Sequence, residues 1–212
     1  MTPAGKGYER GEEEFSRVVN FSDGVFAIAM TLVVVSIEVP DVATDDLPRA
    51  LGNLWPQIGA FFVSFIFIGR YWIAHHQFFG QLRSVDTRQI GYSLVYLAAI
   101  AFLPFPIAVV GRYENAPVAL AITAMTFGTA SFLEAVMFAR ARNTGALKRP
   151  MPDDAYRYFQ TASMIPVVMF VVSIPLAFFH TTLAFASWLL TYPLELVLER
   201  RRPPGVDEYL LG

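Results

Sequence analysis

The chain has 212 residues, 55% of them hydrophobic and 16% charged, with a mean hydropathy of +0.45 and a net charge of -2. Soluble domains carry about 25% charged residues, so this is the composition of a membrane protein, with little chain left for a soluble domain and no basic footprint for nucleic acid. No cysteine is present, which excludes disulfides, thiolate chemistry and cysteine metal sites.

Six runs approach the ~20 apolar residues that a helix needs to cross a bilayer. They cover residues 19–39, 54–76, 90–111, 116–139, 159–179 and 181–199. The expected fold is a single all-α membrane domain over residues 1–212. The first run is preceded by a largely acidic flank, Gly11 to Arg17, and followed by further apolar runs. A signal peptide has a basic flank and a short apolar core, so the first run is a span.

Within that span Ile28, Thr31 and Val35 are spaced i, i+3, i+7 and share one helix stripe. An aliphatic stripe of this kind faces lipid, a neighbouring helix or a pore. Glu38, Asp41, Asp45 and Asp46 follow, with Arg49 the basic residue nearby. They form either an acidic ring at a cation pathway or a solvated loop.

The second run carries Arg70, Trp72, His75 and His76 near its end, and the fourth carries Glu134. We pair Arg70 with Glu134 as an expectation. Proline interrupts the third run at Leu103–Pro106 and the fifth at Pro166 and Pro175, where kinks are expected. Only His180 and Thr181 separate the last two runs, which predicts a tight helical hairpin. Neither β-barrel alternation nor an internal repeat is evident.

Lys and Arg set the orientation through short loops. With the N-terminus inside, the inner segments hold thirteen of the sixteen: Lys6, Arg10, Arg17, Arg83, Arg88, Arg140, Arg142, Lys148, Arg149, Arg157, Arg200, Arg201 and Arg202. The outer loops hold Arg49 and Arg112, and Arg70 lies inside a span. Both termini are then cytoplasmic. Trp55 and Tyr113 fall at one interface, and Tyr156, Tyr158 and Tyr192 at the other.

This topology brings Asp23, near the inner end of span one, to the depth of Trp72, His75 and His76 on span two. A buried carboxylate is stabilised by N–H donors from imidazole or indole, and Arg17 is a further candidate partner. The cluster reads as a lock between two helices or as a proton relay. A shared metal site is disfavoured, since adjacent residues on a helix point about 100° apart.

Arg17, three residues, then Phe21-Ser22-Asp23 resembles the R-x-x-x-F-S-D signature of the transmembrane-protein-175 potassium channels. Gly24 to Val35 and the W-x-x-H-H of Trp72 to His76 are similar to that family as well. The resemblance implies a homotetramer around a central pore lined by helix one. It also implies a cation conductance that prefers potassium without a T-V-G-Y-G filter, a sequence absent here. It places Ile28, Thr31 and Val35 at the constriction, with Val35 shorter than the leucine common in relatives. Expected partners are potassium and other monovalent cations, further copies of the chain and membrane lipid. No cofactor is expected, and the location is the bacterial plasma membrane. The rival reading is a secondary transporter or proton-coupled cation carrier using an Asp23, His75 and His76 relay. An enzyme is disfavoured, since no nucleophile elbow, H-E-x-x-H motif or facing carboxylate pair is present.

Overall fold

The computed structural model describes residues 7–113 and 115–209; Lys6 lies outside them. Nine helices carry these residues: α1 (Glu13–Leu32), α2 (Leu47–Gly52), α3 (Trp55–Gln81), α4 (Thr87–Phe102), α5 (Pro104–Arg112), α6 (Pro117–Asn143), α7 (Asp153–Phe179), α8 (Thr181–Leu189) and α9 (Thr191–Glu199). They make six helical units long and apolar enough to cross a membrane: Glu13–Ser36, Gln57–Gln81, Thr87–Arg112, Pro117–Asn143, Asp153–Phe179 and Thr181–Glu199. The six expected runs are all present, with shifted ends.

The first unit starts earlier than residue 19 and closes in a 3₁₀ turn, Val33–Ser36. The third breaks at Leu103, because Pro104 lacks the N–H that would continue the ladder. The sixth breaks at Leu190. Pro166 and Pro175, by contrast, lie within an unbroken α7. His180 takes an extended conformation (φ -161°, ψ 107°) and turns α7 directly into α8, which pack together as a hairpin.

Helix α6 is the centre of the bundle. It packs along α4, α5 and α7, and 56% of its apolar window is buried, against 22–33% for the other five spans. Its buried side is largely small: Ala124, Gly128, Ala130 and Ala141 let neighbouring backbones approach. A Cβ at Gly128 would sit 3.4 Å from Phe170 Cβ on α7. Gly145, at φ +67°, ends α6. Its N–H donates to Arg142 O (3.1 Å) and that of Ala146 donates to Ala141 O (2.9 Å), a left-handed glycine cap.

One feature departs from an all-helical expectation. A two-stranded antiparallel ribbon pairs β1 (Gly7–Glu9) with β2 (Ser84–Asp86), with Tyr8 opposite Val85. Arg10 then donates through Nη1 to the carbonyls of Phe79 and Gly80 (2.9 Å each) and Leu82 (3.2 Å). The last carbonyls of a helix are unpaired and carry partial negative charge, so a guanidinium suits them. Tyr209 receives a hydrogen bond from Gln81 at its carbonyl and donates its hydroxyl to Pro150 O. The N-terminal arm, the α3–α4 turn, the α6–α7 connection and the C-terminal segment thus meet at one end of the bundle.

Asp86 ties this end together. Its Oδ1 accepts from Gln89 N (2.8 Å) at the start of α4, and its Oδ2 from Arg140 Nη2 on α6 (2.6 Å). Burial pushes the carboxyl up, but the Arg140 and Gln89 hydrogen bonds and the charges of Arg140 and Arg88 outweigh it and hold the pKa below the ordinary range. A depressed carboxylate stabilises the fold above its unfolded value of about 3.9, and the contribution is lost as pH falls through the folded value. Asp86→Ala is expected to cost about 1–3 kcal/mol at pH 7. The gap in melting temperature between wild type and variant is expected to shrink below about pH 4. A gap that stays constant on acidification rules out the charged cap.

Candidate functional site

Helix α1 has two unlike sides. Phe15, Ser22, Phe26, Ala29 and Val33 recur every three or four residues and are buried against the protomer's own α3 and α4. Gly69 of α3 admits this contact, since a Cβ there would come within 3.2 Å of Met30 Cε. On another side Phe21, Gly24, Ile28, Thr31 and Val35 are all exposed, Ile28 at 61% and Val35 at 72%. Among the described residues no element covers this side from Phe21 to Thr31.

Thr31 makes the stripe partly polar. Its hydroxyl lies 3.0 Å from both Ala27 O and Ile28 O and donates to its own helix. The proton is therefore directed at the backbone, which leaves oxygen lone pairs for another partner. Val35 sits in the 3₁₀ turn, where side chains advance by roughly 120° instead of 100° per residue. It is thus about 60° ahead of where a continued α-helix would place it, and with Glu38 it lines a cavity of 270 Å³ between α3 and α5.

The F-S-D triplet spreads around the helix, as successive residues must at about 100° each. Phe21 is 56% exposed. Ser22 is fully buried and donates to Val18 O (2.9 Å). Asp23 Oδ1 accepts the indole N–H of Trp72 at 2.9 Å, joining α1 to α3. Arg17 is exposed and makes no ion pair among the described residues; with Phe21 and Ser22 it lines a 530 Å³ cleft between α1 and α4.

The histidines depart from expectation. His75 does not reach Asp23. It is buried between the rings of Tyr96 (5.4 Å, 8° between planes) and Phe79 (4.5 Å), with Phe26 at 5.5 Å, and its Nε2 has no partner among the described residues. His76 lies against Trp72 at 5.5 Å and makes no described hydrogen bond. The i, i+3 step from Trp72 to His75 turns the imidazole toward α4, while Trp72 stays at the α1 side. The described residues therefore hold no hydrogen-bonded chain from Asp23 through either histidine.

Arg70 is corrected as well. Its ion pair is with Glu195 of α9, not with Glu134. Glu195 stands 125 residues away, and its sequence signal was an ionisable residue inside the sixth apolar run. At the opposite end of the bundle, Glu38 meets Arg112 at 3.8 Å, both well exposed; such pairs are weak. Asp41, Asp45 and Asp46 are exposed. Arg112 thus offsets part of this acidic cluster.

This geometry has relatives. The family described as the endosomal/lysosomal potassium channel TMEM175 matches residues 17–104, the segment from Arg17 to the break in the third span. A potassium channel of Streptomyces collinus is 33% identical over 180 residues, 82% of this chain and 87% of the relative. The crystal structure of a lysosomal potassium-selective channel TMEM175 homologue from Chamaesiphon minutus superposes with a TM-score of 0.73 at 27% identity, over 90% of this chain and 98% of that one. The endosomal/lysosomal proton channel TMEM175 of Rattus norvegicus is 34% identical over 110 residues, 48% of this chain and 22% of the relative. The chain belongs to the TMEM175 family. It is thus an integral membrane protein of an ion-channel family and not an enzyme.

Proposed function

We propose that this protein is a potassium-preferring cation channel formed by four copies around a pore lined by α1. The observation that carries the reading is the uncovered stripe Phe21, Gly24, Ile28 and Thr31, opposite a side that is buried within the bundle. One helix cannot enclose a pore, so the stripe needs further copies. The potassium channel of Streptomyces collinus and the potassium-selective homologue of Chamaesiphon minutus support the same activity and ion.

In this reading Ile28 forms the narrowest ring and Thr31 the next. An apolar constriction opposes a hydrated ion by dewetting. The Thr31 oxygens, with their protons turned to the backbone, replace part of the lost water. Potassium holds its water less tightly than sodium, so a partly dehydrating ring prefers it modestly. The acidic segment from Glu38 to Asp46 raises cation concentration at one mouth. In this reading the positive residues at the other end face the cytoplasm of a bacterial cell, with both termini on that side.

The carrier reading needs a relay from Asp23 through His75 and His76, and no hydrogen-bonded chain connects them among the described residues. The test is flux into liposomes holding purified protein, with potassium, sodium and proton gradients compared. Potassium flux above sodium flux, with unitary current steps, is the expected result. Obligatory proton coupling without unitary steps overturns it.

Assembly is tested separately. Cysteine at Ile28 is expected to crosslink between subunits under mild oxidation, and cysteine at Val168 of α7 is not. A conducting monomer sinks the tetramer.

A further inference from the structure

A cavity of 550 Å³ lies between α3, α5, α6 and α8, apart from the α1 stripe. Its walls include Gln57, Phe67, Gly111, Phe127, Phe185 and Trp188. The volume is in the range of sites that hold small molecules, about 300–1,000 Å³. Most of its polar groups are satisfied by their own helices: Ser64 Oγ donates to Ala60 O (2.7 Å), and Thr123 Oγ1 to Ala119 O (2.9 Å).

Two polar atoms are not satisfied. Trp188 is only 8% exposed, and its Nε1 has no hydrogen-bond partner among the described residues; nor has Gln57 Oε1. A buried donor without a partner is costly. The indole cannot easily swing to another acceptor, because Phe127, Phe170 and Phe185 hold it edge-on at 6.0, 5.3 and 5.2 Å.

The order of these groups along the bundle identifies what fits. Gln57 opens the second span. Trp188 lies six residues, about 9 Å, into α8 from Thr182, and Phe67 lies ten residues, about 15 Å, beyond Gln57. Counted inward along each helix, the acceptor Gln57 comes first, then Phe185 and the donor Trp188, then the aromatic wall of Phe67 and Phe127. A phospholipid presents the complement in the same order: headgroup donor, ester carbonyl, hydrocarbon chain. The medium beside the cavity is also hydrocarbon, since Val63 and Leu189 at its edge are 54% and 64% exposed and lie inside membrane spans.

The geometry points to a structural phospholipid site in each protomer, where Trp188 Nε1 donates to an ester carbonyl and the acyl chain lies along Phe67 and Phe127. This site is separate from the ion pathway. It couples α8 to α3, the helix that carries Trp72.

The experiment uses purified full-length protein in vesicles of phosphatidylglycerol brominated along its chains, which quenches tryptophan on contact. Subtracting the Trp188→Phe signal from wild type isolates Trp188 from Trp55 and Trp72. Strong quenching of Trp188 is expected. Gly111→Leu adds bulk where a new Cβ meets nothing within 4 Å, and should reduce that quenching at least severalfold. Phosphatidylglycerol retained after detergent washing, counted by mass spectrometry, should fall about fivefold in Trp188→Phe, the loss of one hydrogen bond. Quenching unchanged by Gly111→Leu, or retention unchanged by Trp188→Phe, overturns the site. Quenching by a free bromoalkane but not by the brominated lipid overturns it in favour of a site for small apolar solutes.

Discussion

Ile28→Asn is expected to raise unitary conductance and weaken the preference for potassium. In the proposed pore Ile28 is the main apolar ring, and hydration of an apolar ring is the barrier. An asparagine ring holds water and admits ions with more of their shells intact. Each 1.36 kcal/mol removed from the barrier is a tenfold gain in flux, so a loss of only about 1 kcal/mol gives about fivefold. Sodium gains more than potassium, since it had more water to lose. Thr31→Ala differs: it removes oxygens and leaves the apolar ring, so selectivity falls while flux changes less. Val35→Ala should do least, because the 3₁₀ turn carries Val35 off the Ile28 line. Reversal potentials under bi-ionic conditions, with unitary currents in planar bilayers, separate the three. If Ile28→Asn alters neither quantity, the stripe is packing and the pore lies elsewhere.

Asp23→Ala is expected to impair assembly rather than conduction by assembled channels. The carboxylate receives the Trp72 indole at the seam of α1 and α3, and a hydrogen bond to a charged group contributes about 1.5–3 kcal/mol. Losing it frees the inner part of α1, the element that meets three copies of itself in the proposed tetramer. Trp72→Phe removes the same bond from the other side and should match Asp23→Ala. Asp23→Asn keeps an acceptor for the indole, so it should assemble far better than either. Size-exclusion profiles and melting curves of the three variants provide the comparison. A well-assembled Asp23→Ala channel with altered proton dependence would restore the relay reading.

The two ends of the bundle differ in what holds them. At the end with the termini, Arg10 caps α3, Arg140 meets Asp86, and the ribbon pins the N-terminal arm to the α3–α4 turn. At the other end the Glu38–Arg112 pair is solvated and the segment after Ser36 is exposed. Helix α1 is thus anchored where its motif sits and less supported beyond Val33, the part that the pore proposal leaves to contacts between copies.

The sequence by itself determined the number of spans, their order and the placing of both termini at one end. Each follows from hydropathy over about 20 residues and an even count of crossings, quantities summed over local windows. It also determined that Asp23 and Trp72 share a depth, because both lie near the same end of two successive antiparallel spans. Only the tertiary structure decided which side chains meet across distant helices. The sequence does not choose between Glu134 and Glu195 as the partner of Arg70, and only the folded bundle, with α9 packed on α7, brings Glu195 to it. His75 and His76 read alike along the chain, yet the helix phase buries one among Tyr96 and Phe79 and leaves the other at the surface. The ribbon and the 3₁₀ turn at Val35 were likewise beyond a periodicity argument, since a three-residue strand has no measurable period and a one-turn change of pitch leaves hydropathy untouched. Side-chain azimuth is fixed by the sum of contacts around each helix, and that sum exists only once the bundle has formed.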